Sequence, residues 1–379
     1  MKIAYMLSNT HGPGGMSNIL LKKTSYLIKK GGDITIITTS QKKNLPTFYN
    51  FSDKLRYIDL GINYLEFSDK PLLIKLFAKF FKARKHKKRL AEVLHKEKFD
   101  IVISMFEGEV RFLCDIDDGS RKIAEIHFAK QFRLQRKQSS TLSVILNKLA
   151  MKVDESIVSK LDKFVVLTDE DKSDWPNKHN ITRIYNFVDI PKEISTLNNK
   201  RAIAVGRLDY QKGFDTLIDI WAIVNKKYPD WKLDIYGSGS DKDKLQEQIS
   251  RLGLNGMVII NDAAPEIYSK MQDSSMYLMT SRYEGFGLVL AEANACGVPA
   301  VSFECKCGPR DIIIDGESGF LVPQDDTETF ADRVCQMIEN ESLRKEMGAN
   351  ARKRIEENFS EEVVMKQWEE IFHELVNEK

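Results

Sequence analysis

Short runs of apolar, β-branched residues recur along this chain with helix-length segments between them. That alternation constrains the fold more than any other feature. Residues 3–7, 34–38, 101–104, 123–126 and 164–167 are such runs. Their apolar residues are largely consecutive, the pattern of strands covered on both faces. Residues 16–30 and 142–158 between them read as helices. Alternating β and α units imply a parallel sheet flanked by helices.

The pattern pauses over the polar segment 187–200, which holds Pro191, Asn198 and Asn199, and then restarts. Strands are expected at 202–205, 232–236, 257–260, 276–279 and 300–303. Helices are expected at 214–226, 242–252, 267–271 and 288–295, and two long polar-faced helices close the chain. The expected class is α/β: two Rossmann-like domains, 1–187 and 188–360, facing across a cleft. Ligands of open parallel sheets bind outside the carboxyl ends of the strands, so the site is expected in that cleft.

Charged residues make up 30% of the 379 residues, and no apolar run approaches the roughly 18 needed for a transmembrane helix. Met1 to Leu7 reads as a first strand rather than a signal peptide. No CxxC occurs among the five cysteines, and Cys305-Lys306-Cys307 lacks the spacing of a zinc site. A cytoplasmic protein is expected. Its charge is unevenly placed: residues 1–187 hold 34 Lys and Arg against 21 Asp and Glu, and the remainder holds 23 against 34. The first half should therefore favour an anionic partner. No nucleic-acid partner is expected.

Four segments could carry chemistry. His11-Gly12-Pro13-Gly14-Gly15-Met16 joins the first strand to the first helix. Its glycines let backbone N–H groups approach a phosphate at the helix N-terminus. The spacing is not GxGxxG, which disfavours a nicotinamide cofactor. Gly206-Arg207-Leu208-Asp209-Tyr210-Gln211-Lys212-Gly213 follows the first strand of the second domain, where Arg207 and Lys212 can converge on one anionic group. In Ser281-Arg282-Tyr283-Glu284-Gly285-Phe286-Gly287-Leu288, a strand ends, a glycine loop follows, and a helix is expected to begin near Phe286. Glu284 precedes that helix, and Glu292 lies one to two turns inside it. His127 ends the strand at 123–126, on the cleft side. Asp115 and Asp117 form a DxD triplet in a charged stretch and are read as surface residues, so no metal site is expected.

Together these residues resemble family 4 of the retaining glycosyltransferases, which have the GT-B fold. The E-x7-E motif is Glu284 and Glu292. Cys296-Gly297-Val298-Pro299-Ala300, Gly308-Pro309-Arg310-Asp311 and Asp315-Gly316-Glu317-Ser318-Gly319 fit the same pattern downstream, as does the Gly206-to-Gly213 segment upstream. Asn294 departs from the usual methionine and Asn261 from the usual glycine. The resemblance implies an acceptor-side first domain, a nucleotide-sugar-binding second domain, and a last helix at about 361–379 that packs back on the first. It implies that Arg207 and Lys212 bind the donor diphosphate and that Glu292 binds the ribose. Glu284 would hold the donor sugar, Gly285, Phe286, Gly287 and Leu288 would supply N–H groups, and His127 would face the sugar. Gly14 and Gly15 match the N-terminal loop.

The implied activity is retaining, metal-independent transfer from a nucleotide-diphosphate sugar, with UDP favoured. The acceptor is a saccharide or lipid-linked saccharide in surface polysaccharide or glycolipid biosynthesis. No cofactor is implied, because the nucleotide-sugar is a substrate. A nucleotide-sugar 2-epimerase-like enzyme and a non-catalytic nucleotide-sugar binder are the alternatives. The segment 71–95 adds one partner. Helical spacing puts Leu73, Phe77, Phe80 and Phe81 on one side and Lys75, Lys79 and Lys82 toward another. Such a basic amphipathic helix can lie on an anionic membrane surface, here the inner face of the cell membrane.

Overall fold

A computed structural model describes residues 1–11, 15–41, 47, 51–67, 70–135, 140–176, 179–264 and 266–377. Among them the first sheet has seven strands: β1 (Lys2–Leu7), β2 (Asp33–Thr38), β3 (Arg56–Asp59), β4 (Ile101–Ser104), β5 (Arg121–Glu125), β6 (Lys163–Val166) and β7 (Ile181–Arg183). Their order is β3-β2-β1-β4-β5-β6-β7, and every pairing is parallel. The second sheet has β8 (Arg201–Val205), β9 (Lys232–Tyr236), β10 (Val258–Asn261), β11 (Met276–Met279), β12 (Ala300–Phe303) and β13 (Gly319–Val322), in the order β10-β9-β8-β11-β12-β13. It too is parallel throughout.

The two-residue period of a strand explains how the first sheet is covered. Ile3, Tyr5 and Leu7 of β1 point to one face, where they meet Leu20 and Leu27 of helix Gly15–Lys29. Ala4 and Met6 point to the other and meet Leu90 and Leu94 of helix Leu72–Glu97. In the second sheet Ala202 and Ala204 face one core and Ile203 the other. Both faces of β1 and β8 are therefore apolar.

The elements differ from the sequence expectation in several places. β3 and β7 lie at the edges of the first sheet, where one flank is open and little apolar surface is needed. β3 is mostly exposed and β7 is three residues long, so neither leaves an apolar run. β13 is a four-residue edge strand inside a glycine-rich segment. Three helices close the chain rather than two: Thr327–Glu339, Glu341–Asn358 and Glu361–Asn377, the first two separated only by the capping residue Asn340. The helix expected near Phe286 begins at Leu288, after Gly287 at φ 89°.

The last helix crosses back to the first sheet. Val364, Met365, Trp368 and Phe372 join the core formed by β1, β2, β4 and helix Gly15–Lys29. The segment 187–200 lies on the second domain, where Ser195 N donates to Cys296 O and Arg344 donates to Leu197 O. In both sheets the strand order reverses beside the first strand, between β1 and β4 and between β8 and β11. A crevice opens at the carboxyl ends of the strands at such a reversal, and the two crevices face each other.

Candidate active site

Each wall of the cleft includes a loop after a strand that ends at one of these reversals. After β1, the helix Gly15–Lys29 starts with Gly15 and Met16 in the wall. Across from it, the helix Leu288–Ala295 starts behind Gly287, with no side chain capping it. A Cβ placed on Gly15 would lie 3.6 Å from Leu288 Cδ2. The N-termini of two helices, one from each domain, therefore meet. The first-turn N–H groups have no acceptor within their helices, and both macrodipoles put positive potential into the same space. Gly14 lies outside the described residues.

The domains touch here through backbone. A Cβ on Gly285 would come within 2.6 Å of His127 O and 2.9 Å of Phe128 Cα. Only glycine lets this loop rest against the end of β5.

After β8, Asp209 accepts from Gln211 N at 3.1 Å and caps the one-turn helix Tyr210–Lys212. Arg207 reaches the cleft wall, with its side chain 71% exposed; it donates to Gln211 Oε1 at 2.8 Å and lies 3.4 Å from Asp209. Lys212 turns inward, its carbon chain crossing Gly206 so closely that a Cβ there would meet Lys212 carbons at 2.9–3.1 Å. Its ammonium donates to Glu284 Oε1 at 2.6 Å, and both side chains are largely buried. Arg282 joins this loop to the next by donating to Tyr210 O and Asp215, both at 2.7 Å.

The resulting cavity holds about 460 Å³ and is lined by Gly15, His127, Arg207, Glu284, Gly285, Phe286, Gly287 and Leu288 among others. Lys212 does not line it but pairs with Glu284, which does. Glu292 does not line it. It is buried one turn further along the helix, where burial pushes its carboxyl up to about 7; Lys22 opposes the rise and Asp189 adds to it. Sequence reasoning missed Asn186, Phe128, Phe132, Asp209 and Gln211 as lining residues. The last two stand inside the segment already singled out for Arg207 and Lys212. Asn186 follows an edge strand that left no pattern. Among the described residues no group of three or more His, Cys, Asp and Glu side chains could hold a metal.

A second cavity of about 620 Å³ adjoins the first. Phe106, which lines it, packs edge-on against Phe128 of the first cavity with ring centres 6.2 Å apart. Lys75, Lys79 and Lys82 line one side, and Arg111, Glu107 and Glu109 another. Burial and the neighbouring Glu107 push Glu109 up to about 7. Both carboxylates follow β4 in Phe106-Glu107-Gly108-Glu109, a stretch with no apolar periodicity to mark it. On the outer surface Ile74, Phe77, Phe80 and Phe81 of helix Leu72–Glu97 are exposed. So are Leu142, Ile145, Leu146, Leu149 and Val153 along one side of helix Thr141–Val158.

Residues 188–354 match the family model described as glycosyl transferases group 1. An uncharacterized glycosyltransferase of Haemophilus influenzae is 27% identical over 381 residues, covering 98% of this chain and 99% of that protein. The amylovoran biosynthesis glycosyltransferase AmsD of Erwinia amylovora is 34% identical over 223 residues, 56% of this chain and 62% of that protein. A mutant of S. aureus TarM in complex with fondaparinux, alpha-GlcNAc-glycerol and UDP superposes with a TM-score of 0.78. It is 20% identical and covers 98% of this chain and 99% of that one. The fold is GT-B. Sucrose-phosphate synthase from Thermosynechococcus elongatus shares it, with a TM-score of 0.83 at 19% identity over the full length of both chains.

The buried Glu292 yields a prediction. The folded chain holds its proton to about pH 7 whereas the unfolded chain releases it near 4.5. Stability should therefore fall as pH rises from about 4.5 to 7 and stay level above. The slope integrates to about 3 kcal/mol. Urea unfolding at pH 5 and pH 8 should show Glu292→Gln narrowing the wild-type difference by about 3 kcal/mol, the remainder belonging to other raised carboxyls such as Glu109. An unchanged difference would refute it.

Proposed function

We propose that the protein is a glycosyltransferase that moves a sugar from a nucleotide-diphosphate donor, UDP-linked by preference, to a saccharide or lipid-linked saccharide acceptor. The meeting of two helix N-termini beside Arg207 and the Lys212–Glu284 pair carries this reading. A cleft so built suits a diphosphate on which negative charge grows. Reaction breaks the anomeric C–O bond, and its electron pair goes to the diphosphate oxygen. Arg207, Lys212 and the N–H groups of 285–288 stabilise that charge without a metal. Glu284 and His127 hold the sugar. The acceptor oxygen attacks from the face the leaving group vacates and passes its proton to the departing phosphate, so configuration is retained and no protein base is required. The similarity to AmsD, named for amylovoran biosynthesis, supports a role in polysaccharide assembly.

The test is a nucleotide-sugar screen for turnover, with EDTA present, using saccharide and lipid-extract acceptors. UDP-sugar turnover should persist in EDTA. Arg207→Ala and Lys212→Ala should each lower it by about 2–4 kcal/mol, the scale set by loss of one preorganised electrostatic group. The exposed Arg207 can be removed without disturbing the fold, so full activity in Arg207→Ala would sink its assignment.

The acceptor side faces an anionic bilayer, in this reading, at the inner face of the membrane. The exposed apolar rows of the two helices described above are interleaved with exposed Lys75, Lys79, Lys148 and Lys152. Basic residues near an anionic leaflet contribute about 1 kcal/mol each. Lys87 and Arg89 instead serve the fold, paired with Asp115 and the Leu60 carbonyl. Vesicles rich in anionic lipid should sediment the protein at low salt, and neutral vesicles should not. Combined Phe77→Ser, Phe80→Ser and Leu146→Ser should abolish sedimentation and leave turnover of a soluble acceptor intact. Equal binding to both vesicle types would reject the idea.

A further inference from the structure

Behind the cleft lies a buried ion pair that the transfer chemistry above does not use. Glu125 and His127 are two residues apart at the end of β5, so the strand period puts them on one face. Glu125 Oε2 accepts from Lys23 Nζ at 2.5 Å, and both side chains are only 2% exposed. Lys23 comes from helix Gly15–Lys29, whose first residue lines the cleft. Its ammonium also sits 3.5 Å from the ring centre of Trp368, on the helix that returns from the end of the chain. Burial alone would raise the Glu125 carboxyl, but Lys23 and His127 hold it down to about 2. Burial pulls Lys23 the other way, lowering its affinity for the proton.

Such a pair is a poor way to stabilise a core, because desolvating two charges costs about as much as their attraction returns. Its geometry suggests another use. Glu125 Oε1 is buried and, among the described residues, has no hydrogen-bond partner; the same holds for His127 Nε2. The two atoms are 3.8 Å apart, just beyond hydrogen-bond reach. His127 lines the donor cavity, and its carbonyl touches the Gly285 loop. A small turn of the imidazole would satisfy both orphan atoms at once.

We propose that Glu125 is a positioning residue for His127: held by Lys23 and Trp368, it accepts a hydrogen bond from His127 Nε2–H when the donor fills the cleft. That bond fixes the tautomer and leaves Nδ1 as the ring's one acceptor. The kinetic part rests on the transfer activity proposed above; the spectroscopic part does not.

The test replaces the pair by apolar side chains of similar size, Lys23→Met with Glu125→Leu, which removes both buried charges together. A second variant, Lys23→Met with Glu125→Gln, keeps an acceptor beside His127. Nitrogen-15 spectra of histidine-labelled protein with UDP bound should show the Nε2–H tautomer of His127 in the wild type and a mixture in the Leu variant. The Gln variant should restore the wild-type pattern. In turnover, the Leu variant should lose 10- to 100-fold in kcat with UDP affinity by calorimetry unchanged. Adding His127→Ala to it should cost less than threefold more, whereas His127→Ala alone should cost as much as the Leu variant. Multiplicative losses, or a His127 tautomer unchanged in the Leu variant, would overturn the proposal. Inactive wild-type protein would count against the transferase reading and leave the spectra to decide this one.

Discussion

The backbone of Gly285 against the carbonyl of His127 is the contact on which the rest of the site depends. It lets the end of a strand in one domain touch the loop before a helix in the other with no side chain between them. Two parallel sheets could face each other at many distances and angles. This contact leaves little room for any but the one in which both helix N-termini open into the same space. Charge selectivity then follows largely from backbone: the positive ends of two helices are aimed before any side chain is placed. Arg207 adds an exposed cation at the mouth, and Lys212 a buried one beneath.

The buried cation needs the carboxylate it holds. Lys212 and Glu284 are largely buried and 2.6 Å apart, so each offsets part of the desolvation cost the other would carry alone. An anion arriving in the cleft can share Lys212 without stranding it. Glu284 is then half released, free to accept hydrogen bonds from hydroxyl groups beside the anion. On the function proposed above, one ion pair would serve both the phosphate and the polyol next to it.

Much of this was legible in the sequence because the relevant signals are local. β1, β4 and β8 are buried on both faces and leave apolar runs, and β2, β9 and β12 are broken only by Thr35, Asp234 and Ser302. The glycine segments around Arg207 and Glu284 show where backbone must come close to something. What failed is what depends on the neighbours of an element. β3 and β7 are edges and need no run. Leu142, Ile145, Leu146, Leu149 and Val153 have helical spacing, which a sequence normally uses to face a core; here they face outward, and only the fold tells the two apart. Glu292 shares a motif with Glu284, yet one turn of helix carries it behind the cavity wall, beside Lys22 and Asp189. Sequence spacing placed it in the right helix but could not give its depth.

The division of charge between the halves has a structural counterpart. The second domain, net acidic, carries the match to glycosyl transferases group 1 and about half of the lining of the first cavity. The first domain, net basic, carries the second cavity and both exposed apolar helices. A diphosphate presents the same geometry whatever sugar it bears, so residues that hold it need little variation. An acceptor and the surface that presents it differ from one polymer to another. The family match stops near the start of the second domain, at the boundary between these two demands. On the function proposed above, the acceptor would meet the basic half, where Lys75, Lys79, Arg111, Glu107 and Glu109 line the second cavity.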